Sequence, residues 1–353
     1  MNIQLDNIRS SSRLFYNYLV NKRKIQRGSV SNLLPICFIY FITYKCNLRC
    51  KFCDNGHKQK YPDLKSEELS TEDALKVIRT IRRDCSVLYI TGGEPLLRKD
   101  LSKILRAARE MSYYPIFVNT NGTLLEKQDE CIDHLDWLVI SLNSLNEEKH
   151  DRIVGKAGAT KLVEENIIKY SRQQKKRNFN ILVNCVINKE TVEDCFDVID
   201  FCIDNNVFFT PVSCINGVYP DWSLLDNENY LKLIDYIIQK KRNRAKIYGH
   251  IDYIRSLLRF EEFDCFPTMT PHIDPAGYLL YPCPNLETRV DISIRDYMSC
   301  MDAYEEGSQL FGEFPVCDNR CHLSCYLSPQ MIFRHPFKSL REMLYLFWAD
   351  KFS

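Results

Sequence analysis

The chain has 353 residues, 45% of them hydrophobic, enough for one large α/β domain plus a smaller appendage. Lys and Arg number 47 against 46 acidic residues, so no global field draws the protein to nucleic acid or a membrane, and no nucleic-acid partner is expected. Sixteen cysteines behind an N-terminus without a secretory apolar region argue for metal ligation or plain burial in the cytoplasm, against a disulfide framework.

Residues 1–32 form a basic, amphipathic segment in which Arg9, Arg13, Lys22, Arg23, Lys24 and Arg27 lie among Leu14, Phe15, Tyr18 and Leu19. The apolar run from Leu33 to Tyr44 is about half the ~20 residues a membrane span needs and contains Pro35, so it reads as a buried strand. From there to residue 216, β-branched and aromatic runs alternate with segments of helical period. Strands are expected at 36–43, 87–91, 116–120, 137–142, 180–187 and 207–212. Two of the helices open on a hydroxyl three residues before an acid, at Ser70 and at Thr191. Six βα units over 33–216 predict an incomplete parallel (β/α)6 barrel of the TIM type, with its active site at the carboxyl ends of the strands.

Residues 217–263 read as a helical linker. Residues 264–330 hold Cys265, Cys283, Cys317, Cys321 and Cys325 with Gly277 and several prolines, the pattern of a small loop-rich domain that needs a staple. The tail, 331–353, is amphipathic, with Phe337, Leu340, Met343, Leu344, Phe347 and Trp348 near one helical face. Basic amphipathic ends can lie on an anionic membrane surface or pack on their own domain.

Cys46, Cys50 and Cys53 supply three ligands, one short of a closed zinc site or a fully ligated cubane. C-x3-C-x2-C on one loop suits three corners of a [4Fe–4S] cluster whose fourth iron stays open to a small molecule. Three buried thiols at a strand end are the plainer reading. The stretch Thr91–Pro95, "TGGEP", follows the second strand, where Gly92 and Gly93 permit close backbone approach and Glu94 offers an acceptor. Polar groups recur at later strand ends: Asn119 and Asn121, Ser141 with Asn143, Asn184 with Asn188. Each alone is an ordinary turn former.

Together these residues resemble the radical S-adenosylmethionine (SAM) superfamily. The resemblance implies that Cys46, Cys50 and Cys53 hold a [4Fe–4S] cluster that binds SAM and cleaves it to a 5′-deoxyadenosyl radical, which abstracts hydrogen from a C–H bond. It implies that Gly92, Gly93 and Glu94 receive the methionine ammonium, that Phe52 offers its backbone to adenine, and that Asn119, Asn121, Ser141 and Asn184 meet ribose or carboxylate. The second cysteine group resembles a SPASM or Twitch extension, but a full SPASM domain uses more cysteines. One auxiliary [4Fe–4S] cluster is therefore expected, on Cys265, Cys283 and Cys325 with Cys317 or Cys321; an all-Cys zinc site is the competitor. The substrate expected is a small molecule or peptide, and the electron donor a flavodoxin or ferredoxin. The alternatives are modification of a lipid or isoprenoid chain by a membrane-peripheral enzyme, and a non-enzymatic iron–sulfur electron carrier, which would need no SAM pocket.

Overall fold

Short runs of Val, Ile, Phe and Tyr bounded by turns become strands because a pleated chain buries such side chains on both faces when helices return across it. The computed structural model describes residues 2–30, 32–53, 59–216, 219–286, 288–312 and 321–348. In chain order it runs α1 (Asn2–Gln26), β1 (Phe38–Thr43), α2 (Thr71–Arg82), β2 (Leu88–Gly92), α3 (Leu101–Glu110), β3 (Ile116–Thr120) and β4 (Trp137–Ser141). Next come α4 (Glu147–Val154), α5 (Ala159–Ser171), α6 (Gln174–Arg177), β5 (Asn180–Ile187), α7 (Asp194–Asp204) and β6 (Phe208–Ser213). A two-stranded ribbon of β7 (Ile215–Asn216) and β8 (Tyr219–Pro220) leads to α8 (Glu228–Arg242) and α9 (Ile251–Leu258). The chain closes with β9 (His272–Ile273), β10 (Tyr278–Leu280), β11 (Arg289–Ser293), α10 (Cys300–Phe311), α11 (Ser324–Arg334) and α12 (Pro336–Trp348).

β1 to β6 are adjacent and parallel in sequence order. Each begins and ends within two residues of the run the sequence marks out. The helix expected from Ser70 forms, with the Ser70 hydroxyl accepting from Asp73 N–H. The one expected from Thr191 starts three residues later, because the Thr191 hydroxyl donates to Val186 C=O at 2.8 Å and ties the loop back to β5.

The sheet continues beyond the six units. β9 pairs in parallel with β1, Ile39 opposite His272, and β10 and β11 follow antiparallel, so the chain around Cys283 is built onto the edge of the main sheet. The result is a mostly parallel nine-stranded α/β sheet, consistent with a partial TIM barrel. Its helix-covered face buries Phe38, Tyr40, Leu88, Ile90, Ile116 and Val118 in the main core. The alternate residues face inward. At the amino ends of the strands Tyr89, Phe117, Trp137 and Phe208 form a chain of rings 5.1 to 5.9 Å apart, and Tyr345 of α12 abuts Phe208 at 6.1 Å. This aromatic floor leaves the polar inner positions at the opposite, carboxyl end.

α1 packs on the domain through polar side chains. Asn17 donates to Pro35 C=O at 2.7 Å and to Asp84 C=O at 2.8 Å. Asn21 donates to Leu34 C=O and accepts from Leu34 N–H, both at 2.7 Å, and Tyr18 stacks on Phe333 at 5.4 Å. Asn21→Ala should lower stability by about 2–4 kcal/mol, since it strands a buried donor and acceptor at Leu34. Denaturant unfolding measures this; a loss under half a kcal/mol would mean that α1 contributes little to the fold. Among the described residues no helix is long and apolar enough to cross a membrane.

Candidate active site at the carboxyl ends of the strands

β1 delivers the chain straight into the loop of Cys46, Cys50 and Cys53. The loop is anchored to the end of α4, where Arg49 N–H donates to Val154 C=O at 3.0 Å and Lys51 N–H to Ile153 C=O at 2.9 Å. Cys46, Cys50 and Phe52 pack on Leu48, Ile153, Val154 and Ala159. The three thiols are mutual neighbours: burial pushes the Cys50 thiol up to about 12, with further raising by Cys53 and Cys46. Cys46 is raised as well, first by burial, then by Glu94 and Cys53, against lowering by Leu48 N–H. Half-buried thiols crowded together, with Lys60 only a weak counter-influence on Cys50, favour the protonated state until a stronger positive centre arrives. Among the described residues no three ligand-type side chains converge on a point suited to a single ion.

Gly92 and Gly93 have a specific packing role. A Cβ on Gly92, at φ +139°, would lie 2.0 Å from Thr43 O, and one on Gly93 would lie 2.3 Å from Lys45 O and 2.5 Å from Tyr44 O. Only glycine lets the end of β2 press against the backbone that opens the Cys loop. The contact is sealed by Gly93 N–H donating to Thr43 C=O and Glu94 N–H donating to Lys45 C=O, both at 2.8 Å.

Glu94 is fully buried. Its carboxylate accepts from the Thr120 hydroxyl at 2.7 Å, Asn121 N–H at 2.7 Å and Leu96 N–H at 2.9 Å. Burial pushes this carboxyl up to about 7, against the lowering by those three donors. Asn121 extends the network, donating to Asn47 Oδ1 at 2.9 Å and reaching Cys46 Sγ at 3.9 Å, while its Oδ1 accepts from Thr123. Asn47 in turn donates to the Thr123 hydroxyl at 2.9 Å. Asn47, Thr120 and Thr123 therefore join the site although the sequence did not single them out. So does Arg98, which is buried, pairs with Asp100 and donates to Ile42 and Leu69 carbonyls, fixing the chain after Glu94.

The inner polar positions come to one level. Asn119 donates to Thr91 at 3.2 Å, and its buried Oδ1 accepts nothing from the described residues. Ser141 sits opposite Asn184, which sits opposite Thr210, and Asn184 hydrogen-bonds Tyr89. Asn143 and Asn188 are occupied elsewhere: Asn143 accepts from Val186 N–H, and Asn188 accepts from Glu190 and Thr191 N–H groups.

Cys317 lies outside the described residues. Cys265, Cys283, Cys321 and Cys325 pack into the main core. The Cys325 thiol is raised by burial and then by Cys321 and Cys283, and Tyr326 lies within reach of Cys283, Cys325 and Cys265, so these cysteines share one neighbourhood. Tyr326 contacts buried His272 Nδ1 at 3.1 Å; the His272 ring stacks on Phe41 at 5.8 Å, and Phe41 on Tyr61 at 5.4 Å. A chain of rings thus connects the second cysteine group to the first loop. Beside it opens a cavity of about 370 Å³ lined by Phe41, Tyr44, Tyr61 and Lys65 on one side and Asp274 and Arg289 on the other.

The pH dependence at Glu94 has a definite sign in the ligand-free protein. Its carboxyl ionises near 4.5 when unfolded and near 7 when folded, so between those values the folded state holds the extra proton and stability falls as pH rises. The contribution reaches about 3 kcal/mol above pH 7 and vanishes below 4.5. Glu94→Gln should flatten this slope. Denaturation midpoints of wild type and variant across pH 4 to 8 measure it, and parallel curves would refute the assignment.

Residues 40–202 match the family model described as the Radical SAM superfamily. Among solved structures, Streptococcus suis SuiB bound to S-adenosylmethionine is similar with TM-score 0.60 and 17% identity, over 78% of this chain and 68% of that one. SuiB bound to its precursor peptide SuiA gives 0.62 and 17%, over 83% and 70%. anSMEcpe with bound AdoMet gives 0.59 and 15%, over 89% and 97%. At these identities the likeness is one of fold.

Proposed function

We propose that this chain, an enzyme carrying a radical SAM domain over residues 40–202, holds a [4Fe–4S] cluster on Cys46, Cys50 and Cys53 and binds SAM at the carboxyl ends of its strands. That pair, when bound, supplies a 5′-deoxyadenosyl radical able to take hydrogen from an unactivated C–H bond. The observation that carries the reading is the continuous network from Cys46 through Asn121 to Glu94, ending in a buried carboxylate that lacks a cationic partner among its described contacts. An ammonium is the natural complement. Gly92 and Gly93 fix the loop against β2, Glu94 receives the methionine ammonium, and Asn119, with an unused acceptor, Asn121, Ser141 and Asn184 orient ribose and carboxylate. Phe52 offers its backbone to adenine. The aromatic floor excludes water from the other end.

Cys265, Cys283 and Cys325, with Cys317 or Cys321, hold one auxiliary [4Fe–4S] cluster in a SPASM- or Twitch-like region spanning 264–330. Its place is to take an electron from the substrate, through the neighbourhood of Tyr326 and His272. A peptide substrate is favoured over a small metabolite, because similar folds are solved with bound peptides and the cavity between the two cysteine groups has an aromatic wall and an Asp274–Arg289 pair for a main chain to meet. A flavodoxin or ferredoxin supplies the electron in the cytoplasm. The second reading, a lipid or isoprenoid chain modified at a membrane surface, has the exposed Phe15, Tyr16 and Leu19 of α1 in its favour.

The test is anaerobic reconstitution followed by iron and zinc analysis and incubation with SAM and reductant. The expected result is about eight iron atoms per chain and formation of 5′-deoxyadenosine. Four irons with one zinc would overturn the auxiliary cluster, and a loaded protein that leaves SAM intact would overturn the enzyme's assignment to this chemistry.

A further inference from the structure

A second cavity lies away from the site just described. It opens between the end of α8, the start of α9 and the outer side of α12, encloses about 840 Å³, and includes Tyr345, whose ring abuts Phe208 at the amino end of β6. It is therefore toward the amino ends of the strands, opposite the end that carries the Cys loop.

Its lining carries six cations, Lys241, Arg242, Arg244, Arg255, Lys338 and Arg341, against two carboxylates. Both carboxylates are taken: Glu342 pairs with Lys241 and Asp252 with Lys338, each at 2.6 Å. The four arginines are exposed and make no ion pair among the described residues. The dipole of α8 accounts for Arg242 in its last turn. It does not account for Arg244, Arg255 or Arg341, which come from three separate segments and repel one another across a concave wall. The field is felt nearby: His250 is pushed down to about 4 by burial and, against Asp252, by His335, Lys338 and Lys241.

A second feature borders the first. On α12, Phe337, Leu340 and Leu344 are 87%, 54% and 50% exposed, spaced as one helical stripe beside Lys338 and Arg341. A small anion would satisfy the arginines and leave this stripe in water. A flat anionic bilayer would cover the stripe but does not match a concave wall of arginines. A polypeptide segment can do both, because carboxylates on one face reach inward while apolar side chains cover the helix.

We infer that the cleft between α8, α9 and α12 is a docking site for an acidic, amphipathic polypeptide segment. Arg244 and Arg341 provide paired charge at the rim, Arg255 lies on the α9 wall, and Leu340 and Leu344 provide the apolar shelf. The site needs neither cluster nor SAM, so it is tested apart from the catalytic reading.

The probe is a labelled synthetic peptide with Glu on one helical face and Leu and Phe on the other, titrated into the full chain at low salt by fluorescence anisotropy. Arg244→Glu/Arg341→Glu should weaken binding by about tenfold or more, and Leu340→Ser/Leu344→Ser by several-fold. Lys103→Glu/Lys127→Glu, an equal charge change on exposed residues of another surface, should stay within about twofold. Arg255→Glu serves as the independent test if the first double variant fails to fold, and should also weaken binding. Equal affinity of the charge-reversed and control proteins would overturn the proposal. So would capture by phosphatidylglycerol vesicles, lost on Arg244→Glu/Arg341→Glu, without binding of the peptide, because it would assign the face to a membrane.

Discussion

Replacing Cys50 with alanine should abolish 5′-deoxyadenosine formation and lower the iron content of the reconstituted chain by about half, from about eight atoms to about four. The thiol sits between Cys46 and Cys53, and its own ionisation is strongly disfavoured by burial and by those neighbours. Only a positive centre shared among the three makes three thiolates tolerable in that pocket. With two ligands left, the loop cannot retain a cubane, while Cys265, Cys283 and Cys325 are untouched by the change. Cys185→Ala is the matched control. That thiol is fully buried in the helix-covered core, 3.2 Å from Cys195 Sγ and 4.0 Å from Asn143 C=O. It should cost stability and leave iron and SAM cleavage alone. SAM cleavage surviving in the Cys50 variant would remove this loop from the catalytic centre.

Gly93→Val should be the most damaging change outside the cysteines. The new Cβ meets two carbonyl oxygens of the backbone, at 2.3 and 2.5 Å, with no flexible side chain to yield. β2 must then retreat from Tyr44 and Lys45, breaking the hydrogen bonds from Gly93 to Thr43 and from Glu94 to Lys45. Overpacking of this kind costs about 1–3 kcal/mol, and each lost bond adds about 1 kcal/mol. The functional loss should exceed the loss of stability, because the same movement carries Glu94 and the entry to the Cys loop apart. A SAM titration beside a thermal melt separates the two. Wild-type SAM affinity in this variant would show that the β2 end does not shape the site.

The strands were legible because each is a short apolar run closed by a turn, a local signal. The polar strand ends were legible as a recurrence, but not which of them are free for a ligand. Asn143 and Asn188 look like Asn119 and Asn184 in sequence, yet the first two are consumed by backbone N–H groups three-dimensionally close to them. The glycines of "TGGEP" suggested room for a ligand. Their tightest neighbour is the protein's own β1 extension, a tertiary fact no spacing encodes. Asn47 and Thr123 carry no motif and enter only through Asn121. β9 and β10, two and three residues long, are too short for period-two alternation to be seen. In the N-terminal helix Phe15 and Leu19, two of the expected apolar residues, are exposed, while the buried positions include Asn17 and Asn21, polar residues that a search for apolar stripes passes over.

The pairing of Ile39 with His272 sets a condition on how the protein is made. β1 is buried at every position, and one of its two edges waits for a partner synthesised roughly 230 residues later. Until β9 leaves the ribosome, Phe-Ile-Tyr-Phe-Ile-Thr presents open N–H and C=O groups along an apolar strand, the arrangement most prone to pair with another chain. Such long-range closure is slow for a tethered polymer. Expression yield should therefore depend on translation speed and chaperone supply, and truncations that remove β9 should aggregate even though all six βα units remain.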